Sequence, residues 1–230
     1  MTDSDAAQLA RLLSRAQWVL LDFDGPVCSV FAGYPAPVIA AELRTWIATE
    51  AIQVPHLTDD PHEVLRQAAA ISGDLAREVE KRLRLAEIEA AATAEPTPGA
   101  AEFLAACQAT GRPVAIVSNN TADAITAYLE RTDLSRYVAH VEGRDRHDTA
   151  LMKPHPYLLN VSMRAIGASP AKTTFIGDST SDIQAGTAAG VPTIGYANKP
   201  GKPHRLLAAG ASAITENMAA LERAFSTPSP

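Results

Sequence analysis

Apolar residues along this chain fall into two periods. Five short runs, Trp18–Leu21, Val114–Val117, Tyr137–Val141, Thr174–Ile176 and Val191–Gly195, are largely apolar and end at polar or glycine residues. Such runs predict strands buried on both faces of a parallel sheet. Between the later runs the spacing turns helical. Ala100–Ala109 carries Phe103, Leu104 and Cys107 and stops near Gly111, and Ala122–Glu130 carries Ile125 and Leu129. Pro156–Ile166 opens with proline in a tolerated first-turn position, carries Leu158 and Val161 and ends at Gly167; Ser181–Ala189 ends at Gly190. Strands alternating with helices predict βαβ units with right-handed crossovers. The expected fold is α/β, a doubly wound, parallel, five-stranded, Rossmann-like sheet.

The first connection breaks this rhythm. About 90 residues separate the end of the first run from the start of the second, whereas a βαβ unit needs only about 30. The helix at Ala100–Ala109 already supplies the crossover, so residues 29–96 are an insertion between core segments 1–28 and 97–230. Long structureless loops are rare in compact domains, and the insertion carries three amphipathic faces: Ile39, Leu43, Trp46 and Ile47; Val64, Leu65, Ala68 and Ile71; Leu75, Val79, Leu83 and Ala86. It is predicted to be a small helical subdomain leaving through a stiff hinge, Glu95-Pro96-Thr97-Pro98-Gly99. The tail, Ser226–Pro230, is expected to fray.

Composition narrows the class. With 47% hydrophobic and 20% charged residues the chain can bury a sizeable core. A net charge of −6 disfavours non-specific binding to nucleic acid. No apolar run approaches the roughly 20 residues needed to span a bilayer, and Met1-Thr2-Asp3-Ser4-Asp5 lacks the basic start of a signal peptide. The two cysteines, Cys28 and Cys107, are too few for a disulfide framework and read as packed thiols. A cytoplasmic protein without membrane or nucleic-acid partners is expected.

Ligands of doubly wound sheets bind outside the carboxyl ends of the strands. The first strand ends in Asp22-Phe23-Asp24-Gly25, the second in Ser118-Asn119-Asn120, and the fourth in Gly177-Asp178-Ser179-Thr180-Ser181-Asp182, with Lys153-Pro154 ahead of a helix. One strand-end aspartate is ordinarily a turn former or cap; four chain segments bringing carboxylates, a hydroxyl and an ammonium to one edge are not explained by capping. Aspartate can attack phosphorus and form an aspartyl-phosphate, so Asp22 is the candidate nucleophile. Asp24, two residues on, can protonate the leaving oxygen and then activate water. Mg²⁺ suits a site of one or two carboxylates, waters and a phosphate oxygen; Asp22 and Asp178 are its candidate ligands, and Asp182, a helical turn beyond, a further or water-mediated one. Ser118, with the Asn119 N–H at a possible helix start, and Lys153 are the candidate phosphate-binding groups.

These motifs resemble the haloacid dehalogenase superfamily, in the phosphoglycolate phosphatase-like branch whose cap is a helical insert between the first and second motifs. Asp22-Phe23-Asp24-Gly25-Pro26 matches the family's Asp-x-Asp-x-Thr/Val motif, with Pro26 where Thr or Val is usual; Ser118, Lys153 and Gly177, Asp178 and Asp182 match the remaining motifs in order. The resemblance covers about Trp18 to Gly195. It implies a Mg²⁺-dependent phosphatase of a small phosphorylated metabolite, acting as a monomer or homodimer, with the Asp24 backbone carbonyl as another metal ligand. Pro26 lacks an N–H and fixes φ, so the loop after Asp24 is expected to differ.

Four other readings use the same scaffold. A sugar phosphomutase needs a clamp for a distal phosphate, but Cys28–Tyr34 has no basic residue and Arg44, Arg66, Arg77, Arg82 and Arg84 are scattered. A non-catalytic phosphate- or partner-binding protein would be expected to lack Asp22 or Asp24. Dehalogenation would leave Asp24 redundant, and phosphonate hydrolysis would need a Schiff-base lysine from the insert, whose single lysine, Lys81, sits in a charged stretch with Glu78, Glu80, Arg82 and Arg84 that reads as solvated. Arg44, His56, His62 and Arg66 are weak candidates for reading the leaving group. Asn198–His204 forms a basic loop beside the site, either solvated or attracting an anion, and His155 reads as a surface or capping histidine.

Overall fold

The computed structural model describes residues 3–50, 52 and 54–226; the remaining tail, 227–230, lies outside the described residues. In chain order the elements are α1 (Asp3–Arg15), β1 (Trp18–Leu21), β2 (Cys28–Ser29), α2 (Ala36–Thr49), α3 (Pro61–Ile71), α4 (Gly73–Thr93), β3 (Glu95–Pro96), α5 (Ala100–Ala109), β4 (Val114–Val117), α6 (Ala122–Arg131), β5 (His140–Glu142), α7 (Tyr157–Ala165), β6 (Thr173–Gly177), α8 (Thr180–Ala188), β7 (Thr193–Tyr196), α9 (Lys202–Ala208), β8 (Ala213–Thr215) and α10 (Met218–Ser226).

Among the described residues six strands, not five, form the main sheet, in the order β5-β4-β1-β6-β7-β8, and all its pairings are parallel. The sixth, β8, is a three-residue edge strand, Ala213-Ile214-Thr215, too short to stand out as an apolar run. Tyr137–Val141 also needs correcting: Ser135–Tyr137 is a 3₁₀ turn, and the strand is the later His140–Glu142. Tyr137 and Val138 pack against the core from that turn, and apolarity alone cannot separate the two outcomes. Successive strand residues alternate between two layers, as the pleat requires. Val19 and Leu21 pack with residues of α1, α5, α6 and α10, whereas Leu20 packs with Leu158, Leu159 and Met163 of α7 and Ala185 of α8.

The chain runs from β1 outward to β4 and β5, then returns to β6 on the other side of β1. The switch of direction therefore lies at β1/β6, where doubly wound folds open a crevice.

The insertion is helical. Ile39, Leu43 and Ile47 of α2, Val64, Leu65 and Ala68 of α3, and Leu75, Val79 and Leu83 of α4 make its own apolar core; Ile71 is left half exposed. A two-residue antiparallel ribbon, Cys28–Ser29 against Glu95–Pro96, ties the outgoing and returning chain together. Thus two of the five residues of the predicted proline hinge are paired, and Gly99 packs against Ala219, where a Cβ would lie 2.7 Å from the backbone nitrogen. The 21-residue α4 belongs to both bodies: Leu75–Leu83 serve the insertion, while Ala90 and Ala91 join the main core beside α6. Among the described residues no helix is long and apolar enough to cross a membrane.

Candidate active site

Pairing of β1 with β6 continues one residue past the strand, where the Asp22 N–H donates to Ile176 O at 2.9 Å. This fixes Asp22 at the switch point. The chain then turns: Gly25 takes φ +104°, and a Cβ there would lie 2.5 Å from Asp178 Oδ2, so a side chain is excluded on both counts. Pro26 fits this turn, because the bonds that close it come from the Gly25, Val27 and Cys28 amides, while Thr97 Oγ1 donates to Gly25 O at 2.6 Å. Asp24 Oδ1 accepts from the Val30 N–H at 3.0 Å.

Lys153 is buried, 3% exposed, and reaches the same point from the segment before α7. Its Nζ donates to Asp22 Oδ1 at 2.7 Å and to Val117 O at 3.0 Å. Asp182 Oδ1 lies 2.6 Å from the ammonium but off the directions a hydrogen bond needs, so charge holds that contact. Asp182 Oδ2 is committed elsewhere: with Ser179 it forms a capping box at the start of α8, accepting from Ser179 N at 3.0 Å and Ser179 Oγ at 2.6 Å. Asp178 lies just ahead of that cap, and its Oδ2 accepts from Lys202 Nζ.

Ser118, at the end of β4, is buried; its Oγ donates to Asn120 Oδ1 at 3.1 Å and accepts from Asn120 N at 3.2 Å. Asn119 is not at a helix start, because α6 begins at Ala122 after the Thr121 cap. Its side chain instead clamps the backbone of Lys153, with Oδ1 accepting from Lys153 N at 2.8 Å and Nδ2 donating to Lys153 O at 3.2 Å. All the residues named for the site, Asp22, Asp24, Ser118, Asn119, Lys153 and Asp178, border one cavity of about 800 Å³, except Asp182, which stands behind Lys153.

The electrostatics are those of crowded carboxylates. Burial, followed by the charge of Asp182, pushes Asp22 up to about 8 against the pull of Lys153. Burial likewise raises Asp178 to about 6, although Lys202 lowers it. Asp24 is raised by burial, which the Val30 N–H only partly offsets. Asp22, Asp178 and Asp182 can each offer an oxygen within 4.8 Å of the others. Hard oxygen donors, a glycine turn that leaves room beside Asp178, and like charges lacking full compensation all fit a divalent cation such as Mg²⁺.

On the insertion's side the cavity meets Phe31, Thr58, Asp59, Asp60, His62, Glu63 and Arg66. Of the four weak candidates, His62 and Arg66 face it. Arg44 turns to Thr58 O, and His56 is exposed and outside the cavity lining. Arg66 Nη2 donates to Lys153 O at 3.2 Å. Lys81 is exposed as expected, Cys28 and Cys107 are buried thiols, and His155 Nδ1 accepts from Tyr157 N at the start of α7.

A group the sequence did not reveal lies beneath this wall. Glu80, read as part of a solvated stretch, is buried, with Glu87 and Arg144. Arg144 donates to Glu80 at 2.6 and 3.1 Å, to Glu87 at 2.6 and 2.7 Å and to Asn119 O at 3.0 Å. Glu87 also accepts from Asn120 Nδ2 at 3.1 Å and Thr121 N at 2.9 Å, and meets His62 Nε2 at 2.9 Å. Arg144, His62 and two carboxylates thus tie α3 and α4 to the loop that carries Ser118. Burial raises Glu87, but Arg144 and His62 outweigh it and hold the carboxyl near 2. Burial lowers His62, but Asp60 and Glu87 outweigh it and raise the imidazole above its ordinary value. The signal in the sequence was faint: Glu80 and Glu87 stand seven apart, along the same side of α4 as Leu83 and Ala90.

A profile of the family described as haloacid dehalogenase-like hydrolase matches residues 42–196. Phosphoglycolate phosphatase of Escherichia coli (strain K12) is 39% identical over 98 residues, which are 43% of this chain and 38% of that protein. The match therefore spans well under half the length of that relative. A crystal structure of a predicted phosphatase from Clostridium acetobutylicum superposes with TM-score 0.71 at 18% identity, covering 90% of this chain and 96% of the other. That of a predicted phosphoglycolate phosphatase from Haemophilus somnus 129pt gives 0.65 at 17%, covering 91% and 97%. At these identities the two structures bear on the fold alone.

Proposed function

Because the chain belongs to the haloacid dehalogenase-like hydrolases, we propose that it is a Mg²⁺-dependent phosphatase of small phosphomonoesters, with residues 29–96 as the cap over its site. The observation that carries this reading is the placement of Asp22. Its carboxylate stands at the switch point of the sheet, 2.7 Å from a buried ammonium, beside Asp178 and at the floor of the cavity.

Asp22 attacks phosphorus, and the bond to the leaving oxygen breaks as the aspartyl-phosphate forms. Lys153, oriented by Asp182 and by the Asn119 clamp, faces the charge that builds on the phosphoryl oxygens. Ser118 Oγ turns from Asn120 to donate to one of those oxygens. Asp24, whose carboxyl burial raises, gives a proton to the leaving oxygen and then takes one from the water that cleaves the acyl phosphate. The Asp22 and Asp178 carboxylates and the Asp24 carbonyl would hold Mg²⁺, which would supply neutralising positive charge to the phosphoryl group. With both Asp182 oxygens engaged by Ser179 and Lys153, that residue serves through Lys153 or through a bridging water.

Water is the acceptor favoured over a sugar hydroxyl. A mutase needs a second phosphate clamp on the cap side, and the basic residues lining that wall are His62, with both ring nitrogens against carboxylates, and Arg66. Phosphoglycolate, the substrate in the name of the Escherichia coli relative, is one small ester the cavity would take. A panel of phosphomonoesters assayed with Mg²⁺ and with excess chelator tests the reading. Phosphate release that is abolished by chelator and restored by Mg²⁺ is expected; full activity in chelator would remove the metal assignment.

A further inference from the structure

The basic loop after β7 does not simply face solvent. Gly201, at φ +78°, turns the chain into α9, and Leu206 pins that helix against β7 among Ile183 and Ala197. The fit is close: a Cβ on Gly195 would lie 3.0 Å from Leu206 Cδ1. Lys202 is the first residue of this anchored helix. Its side chain lies along the end of the sheet, 15% exposed, and its Nζ donates to Asp178 Oδ2. Asp178 is also the carboxylate that faces the Gly25 turn and groups with Asp22 and Asp182.

The cluster therefore holds two ammoniums of different kinds. Lys153 is enclosed, has Asp22, Val117 O and Asp182 around it, and is 3% exposed. Lys202 meets the cluster through Asp178 and is 15% exposed. A long four-carbon stem on a fixed base can swing without moving the backbone. A divalent cation and the Lys202 ammonium compete for the same carboxylate, and like charges resist being held there together.

We propose that Lys202 is a tethered counter-cation of Asp178, which must give up that carboxylate for the divalent cation to bind and so sets the site's metal affinity. This rests on the reading of Asp178 as a metal ligand. It explains why a lysine is spent on a cluster that already has Lys153: without a metal, Lys202 limits the repulsion among Asp22, Asp178 and Asp182.

Isothermal titration of the purified full chain with MgCl₂, without substrate, tests it. Lys202→Met keeps the stem and removes the charge. It should bind Mg²⁺ about tenfold more tightly than wild type, the scale of one charge-assisted hydrogen bond surrendered on metal entry. Lys202→Gln, a second neutral variant, should tighten binding likewise, whereas Lys202→Arg should stay near wild type. In chelator the neutral variants should melt below wild type, and saturating Mg²⁺ should raise their melting temperature more than it raises that of wild type. Neutral variants that bind Mg²⁺ equally or more weakly would overturn the role of Lys202 while leaving the metal site standing. Failure of all four proteins to bind Mg²⁺ would instead overturn the metal reading, and this proposal with it.

Discussion

Arg144→Met removes the cation at the centre of the buried network and leaves its carboxylates in place. In the intact protein Arg144 and His62 balance Glu80 and Glu87, with Arg144 making four nitrogen–oxygen contacts of 2.6–3.1 Å to the two glutamates. Methionine matches the stem but compensates neither glutamate, and the enclosed side chains of Arg144 and Glu87 show no exposure to water. Removing one partner from a buried ion pair costs about 3–5 kcal/mol, a large part of the roughly 5–15 kcal/mol by which a domain is stable. For a chain of this length the melting temperature should fall by roughly 6–20 °C. Urea unfolding followed by circular dichroism measures the loss directly, provided the slope is unchanged. The triple variant Glu80→Gln, Glu87→Gln, Arg144→Met removes both glutamate charges along with the guanidinium and should regain more than half of it. A single-variant loss below about 1 kcal/mol would refute the view that these charges are desolvated and mutually dependent. Turnover should fall too, because Arg144 also holds Asn119 O, and Asn119 clamps Lys153.

Asp22→Asn should lower phosphate release by orders of magnitude while the melting temperature in chelator stays level or rises, since burial and Asp182 disfavour the charge that asparagine cannot carry; near-wild-type turnover would exclude Asp22 as nucleophile. Asp178→Ala should raise the Mg²⁺ concentration needed for activity at least tenfold, or abolish activity, read from a Mg²⁺ titration of initial rates. His62, raised in the fold, contributes stability that is complete below its ordinary value of 6.5 and is lost as pH rises through the folded value. Glu87, lowered to about 2, contributes stability present above its ordinary 4.5 and lost as pH falls toward 2. Asp22, raised to about 8, also loses stability as pH rises, so urea midpoints across pH 6–9 should decline in both proteins but less steeply in His62→Asn than in wild type; parallel curves would remove His62 from the network's charge balance. Gly25→Ala should both destabilise and inactivate, because alanine at φ +104° would press its Cβ against Asp178; a native melting temperature would contradict the tightness of that turn.

The sequence by itself determined the α/β alternation, the helical insertion and the edge at which Asp22, Asp24, Ser118, Lys153 and Asp178 gather. Each of these follows from local pattern: buried strands must be apolar, amphipathic helices must show a stripe, and strand ends in such sheets face one crevice. Its weakest passages were those where local pattern is faint. The edge strand β8 is three residues long, and the turn at Tyr137 is as apolar as a strand. Tertiary structure alone decided which charges are desolvated. Glu80 and Arg82 are alike in the sequence, yet one is buried against Arg144 and the other lies over the Trp46 ring at 4.1 Å. Asn119 became a clamp on Lys153, and Lys202, one of two lysines in a loop, met Asp178. Such partners lie 24 to 64 residues apart along the chain, so no window of neighbouring residues holds both halves. A carboxylate's chemistry depends on which distant group folding brings beside it and how much water remains there.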